Sequence, residues 1–222
     1  MKQINLSNKQ LNIDEISKFD KDNISSKCGK PLCGLWFSPA IENAKYHQIS
    51  EWHSHIEFNF GKNRVNREYL TDNNTTYVTE LSLKENTKTL TVSELNCLFS
   101  ENATKKEIIN KLKLQNIDNL VLKIDSKKDL DLINMNYRGW DNISTNNYSK
   151  IWQYIAKNFI GCEFSENLFK TVNRLDSNLI SILDVPSLVI FDNKGFNFKT
   201  TEQKLIFNTF DAQNRLDNEL NF

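Results

Sequence analysis

The chain is 222 residues long, and its Lys and Arg match its Asp and Glu at 28 each, so charge gives it no general pull toward nucleic acid or anionic membrane. A hydrophobic content of 39%, with 14 Phe and 4 Trp, excludes a disordered chain and provides the core of one domain. Its six glycines form no phosphate-loop or dinucleotide fingerprint, which excludes a Walker-type or Rossmann nucleotide site.

Met1–Lys9 lacks the apolar run of a signal peptide, and no stretch approaches the roughly 18 apolar residues of a membrane span. Cys28, Cys33, Cys97 and Cys162 have no framework spacing. A cytoplasmic protein with reduced thiols and no membrane partner is expected.

Gln3-Ile4-Asn5-Leu6 alternates as a first strand does, and Ile13–Phe19 has helical character within a polar stretch. Lys30–Pro39 is a compact apolar run bounded by Pro and Gly, with Cys33–Phe37 as a buried strand. Residues 40–54 read as a short helix or irregular cover carrying Ile49 and Trp52. In His55–Gly61, Ile56, Phe58 and Phe60 share one face, the pattern of a strand. Thr75–Leu83 and Thr87–Val92, joined by Lys84-Glu85-Asn86, suggest a hairpin.

Thr104-Lys105-Lys106-Glu107 is a capping-box signature for a helix through about Leu114. Asn119–Ile124 reads as a strand and Ser126–Ile133 as a charged helical turn. Tyr148, Ile151, Trp152, Ile155 and Phe159 recur at helical spacing and stop before Gly161. Leu183–Asp192 is a second compact apolar run with Leu188–Phe191 as its strand, and Phe196–Phe210 supplies one or two more. Strands at both ends with helices between, and no regular βαβ alternation, argue an α+β fold in a single domain over 1–222, with its core in 1–195 and an extension at 196–222.

Three kinds of chemistry are weak in this sequence. Cys28, Cys33, His47, His53 and His55 crowd together, but the Cys-x4-Cys spacing is loose and Cys33 belongs to an apolar strand, so no metal is expected. No Gly-x-Ser-x-Gly elbow is present, and no cysteine has an activating neighbour. Lys62-Asn63-Arg64-Val65-Asn66-Arg67 is a basic loop beside Phe58 and Phe60, a pairing that can hold single strands but reads better as a solvated loop beside core residues.

The two apolar runs carry more information, because Ser and Asp stand at their edges. Gly34-Leu35-Trp36-Phe37-Ser38, followed by Ser50-Glu51-Trp52, reads as the wall and anchor of a flat pocket for a planar ring. With the helix Ile151–Gly161 and the strand Ser187–Asp192, these residues resemble small phage and bacterial proteins with an ADP-ribosyltransferase-like fold. The resemblance spans residues 2–195 through short motifs. It implies two packed, mainly antiparallel sheets with flanking helices.

It also implies an NAD cofactor and transfer of ADP-ribose to a protein or nucleic-acid acceptor. Asn5, Ser7, Gly34, Leu35, Trp36, Ser38, Ser50 and Trp52 would then bind the cofactor. Asn5 stands where that family has His or Arg. Ser187 stands where a catalytic Glu is expected, with Asp184 three residues earlier, so Asp184 and Ser187 are the catalytic candidates. The alternative is a catalytically inactive member of the same fold that acts by docking to a partner.

Overall fold

The computed structural model of the chain describes residues 2–24, 26–27, 30–31, 33–43, 46–52, 55, 75–95, 98, 103–137, 145–172, 183 and 185–204. Along the chain run β1 (Gln3–Ser7), a 3-10 helix (Ile13–Lys18), β2 (Ser26–Lys27), β3 (Lys30–Pro31), β4 (Leu35–Asn43), β5 (Tyr46–Ser50), β6 (Thr75–Leu83) and β7 (Thr87–Thr91). There follow α1 (Val92–Leu95), α2 (Lys105–Lys111), β8 (Asn119–Ile124), α3 (Lys127–Tyr137), α4 (Thr145–Asn158), β9 (Gly161–Phe164), α5 (Glu166–Thr171), β10 (Ser187–Ile190) and β11 (Phe196–Lys204). The class is α+β, as the sequence suggests. The chain divides into two compact units: Met1–Leu11 with Phe37–Ser82 and Phe198–Phe222, and Asn12–Trp36 with Leu83–Asn197.

In the first unit β1 is the central strand. It pairs antiparallel with β6, Gln3 opposite Leu81 and Ser7 opposite Tyr77, and with β4, Ile4 opposite Ser38. β5 pairs antiparallel with β4, Ala40 opposite Ser50. Successive side chains alternate across a strand, so the registers place Ile4, Leu6, Ser38, Val78 and Glu80 on one face. Gln3, Asn5, Ser7, Phe37, Tyr77 and Thr79 take the other, where the Phe37 ring meets Phe198 at 6.3 Å.

The second unit is built differently. β7, β8 and β9 run parallel, and β10 lies antiparallel against β9. The registers align Leu90, Leu122, Cys162 and Val189 in one row, and these residues belong to the core that the helices cover. Trp152 and Ile155 of α4 are fully buried in it, and the Trp152 ring meets Phe164 and Phe191 at about 6 Å.

Several expectations are corrected. Within each unit the strands pair edge to edge rather than stacking as two packed sheets, and in the second unit the pairing is largely parallel, through helical crossovers. β6 and β7 do not form the expected hairpin. The local turn is present, with Thr87 N–H donating to the Lys84 carbonyl at 3.0 Å, but β6 pairs with β1 and β7 with β8. Among the described residues of 40–54 most are strand, as β4 runs to Asn43 and β5 follows, with Glu51 and Trp52 helical and His55 after them. His55 is therefore helical, and Ile56–Gly61 lie outside the described residues. Gly161 opens β9, a strand that periodicity does not reveal.

Candidate functional site

In the first unit the structure brings three of the cofactor candidates together. Ser38 and Ser50 are each 3% exposed and face the same side, because Ala40 pairs with Ser50 and lies two residues from Ser38. The Trp52 backbone N–H donates to Ser38 Oγ at 3.2 Å, and the Trp52 ring stacks on His55 at 5.6 Å with 21° between planes. β4 thus ends its turn into β5 so that the segment after β5 folds back onto Ser38.

Asn5 and Ser7 are not part of that corner. The pairing of Ile4 with Ser38 places them on the opposite face of the sheet. The Ser7 hydroxyl donates to the Lys9 carbonyl at 2.5 Å, a local bond that closes the end of β1. Two charged groups that sequence reading passes over share the face of Ser38: Lys2 Nζ lies 2.6 Å from Glu80 Oε1, with the side chains 33% and 26% exposed.

Gly34, Leu35, Trp36 and Ser187 belong to the second unit, and here the two apolar runs meet. Gly34 has φ +92°, and a Cβ built there would lie 2.8 Å from both the Ile190 carbonyl oxygen and Val189 Cγ2. Its backbone therefore lies directly against β10. Leu35 is half-buried, and Trp36 packs on the helix-covered core. Ser187 is 5% exposed and its hydroxyl donates to the Val185 carbonyl at 2.9 Å. Asp184 lies outside the described residues, as do Cys28, Cys97, His53 and the basic loop 62–67.

A polar group at the carboxyl ends of the parallel strands is absent from the sequence reading. β7 runs into α1, β8 into α3 and β9 into α5, so three helix starts gather at one end of this unit. Ligands of open parallel sheets commonly bind there. Lys123, on β8, is in register with Glu163 on β9, and its Nζ lies 2.7 Å from Asp125 Oδ1. The Lys123 hydrogen bond, with a second from the Ser165 hydroxyl, holds the Asp125 carboxyl below its ordinary value. The same contact raises Lys123 against the opposing effect of its burial. Glu163 is pushed up by burial, which the Lys123 charge opposes and Asp125 reinforces.

The helix starts themselves are filled by the chain's own oxygens. Asp129, 1% exposed, accepts from Ser93 N–H at 2.7 Å, Ser93 Oγ at 2.5 Å, Asp125 N–H at 2.9 Å and Ser126 Oγ at 3.2 Å. Glu94 accepts from Thr91 N–H at 2.7 Å, and the Ser165 hydroxyl from Leu168 N–H at 3.2 Å. The sequence signal for this group is a strand followed at once by Asp or Ser and a helix, repeated along the chain.

Cys162 is fully buried and its thiol is pushed well up by burial; burial also raises Cys33, so neither is poised as a nucleophile. Among the described residues no group of three or more His, Cys, Asp or Glu could hold a metal ion, and no helix is long and apolar enough to cross a membrane. Comparison with protein-family models, curated proteins and solved structures finds no match.

Proposed function

We propose that the chain is an NAD-binding, ADP-ribosyltransferase-like protein that transfers ADP-ribose to a macromolecular acceptor. The observation that supports this reading is the approach of Gly34 to β10, which makes neighbours of the two segments whose motifs suggest it. In this reading Ser38, Ser50 and Trp52 hold the nicotinamide end, with the indole against the ring and hydroxyls toward the amide or ribose. Asn5 and Ser7, on the other face, take no part in that grip.

The step is cleavage of the bond between ribose C1′ and the nicotinamide nitrogen, whose electrons leave with nicotinamide. An acceptor nucleophile then bonds to C1′ and loses its proton. Positive charge develops on the ribose, and a carboxylate would stabilise it by about 3 kcal/mol, on the order of 10² in rate. Ser187 has no such charge, and its hydroxyl is spent on Val185. Asp184 is the acid this reading assigns.

The test is NAD titration by calorimetry together with nicotinamide release, for the wild type and Asp184→Ala. Binding with release that the variant abolishes is expected, and absence of NAD binding overturns the proposal. The commitment of the Ser187 hydroxyl to a backbone carbonyl favours one second reading, a catalytically silent member that docks to a partner. Binding without release by the wild type would select it.

A further inference from the structure

We draw no further inference here: the strongest candidate, the row of Thr91, Lys123 and Glu163 across the carboxyl ends of β7, β8 and β9 with Asp125 beside it, is a cluster of polar and charged side chains in which Lys123 is already paired with Asp125, and among the described residues no second feature points to a ligand there.

Discussion

Gly34→Ala tests the contact that joins the two motif segments. Two separate costs follow from the structure. At φ +92° an L side chain is strained, by about 1–2 kcal/mol. The new methyl would also sit 2.8 Å from a backbone oxygen on Ile190 and 2.8 Å from Val189 Cγ2. The oxygen belongs to a strand hydrogen-bonded to β9 and cannot swing aside, so the approach of Gly34 to β10 must widen, at about 1–3 kcal/mol for an overpacked core. Reduced freedom of the unfolded chain returns about 0.4–1 kcal/mol. The net loss is about 1–5 kcal/mol, a large part of the roughly 5–15 kcal/mol that holds a domain folded.

Urea unfolding followed by tryptophan fluorescence measures it. With a slope of about 2–3 kcal/mol per molar, the midpoint should fall by roughly 0.3–2.5 M. Gly34→Asn separates the two costs, because Asn tolerates positive φ yet carries the same Cβ. If contact dominates, Asn is as damaging as Ala; if strain dominates, Asn recovers most of the loss. The Val189→Ala background should soften the Gly34→Ala penalty by removing Cγ2, leaving the Ile190 oxygen in place. An alanine variant within about 0.5 kcal/mol of wild type, the ordinary effect of a surface change, would refute the close approach.

Two further outcomes follow from the polar end of the second unit. Asp129→Ala should cost about 3 kcal/mol or more in urea unfolding, because it leaves the Ser93 and Asp125 N–H groups without an acceptor, and Asp129→Asn should recover part of it; an alanine variant as stable as wild type would sink this account. Glu163 titrates above its ordinary value in the folded state, so the folded protein binds more protons there than the unfolded chain. Its contribution is fully present below the unfolded pKa and is lost as pH rises through the raised folded one. Glu163→Gln should therefore gain stability relative to wild type as pH rises through that window, whereas a relative gain on acidification would contradict the burial argument. Asp125 has the opposite sign, being lowered, and its stabilisation is lost as pH falls, in both proteins alike.

Capping and turn signals at single elements are legible in the sequence. The box at Thr104 is formed, with Thr104 accepting from the Glu107 N–H and Glu107 accepting from the Thr104 N–H at 2.8 Å. β8 spans Asn119–Ile124, as its flanking turn residues indicate. Strand partners were not legible, because pairing is decided far away in sequence. β8 has Leu120, Leu122 and Ile124 buried on the helix side and Val121 buried on the other, so it shows no alternation, which is the signature of a parallel strand covered on both faces. The strand expected over Cys33–Phe37 instead runs from Leu35 to Asn43, past Pro39. The strand continues because Ala40 N–H donates to the Lys2 carbonyl, so the N–H that Pro39 lacks would point away from β1.

The candidate corner shows the same division. Ser38 and Trp52 are close in sequence, and their meeting was readable; the face on which Asn5 falls was not, since a one-residue slip between β1 and β4 would have reversed it. The scarcity of glycine now has a structural counterpart. The second unit has the parallel strands and gathered helix starts on which phosphate sites are usually built. In such sites glycine lets a phosphate approach free N–H groups, but here Asp129 accepts from the Ser93 N–H and Ser165 from the Leu168 N–H at two of the helix starts, and Glu94 and Asp129 accept from Thr91 and Asp125 at the strand ends. A phosphate arriving there would meet carboxylates in its place.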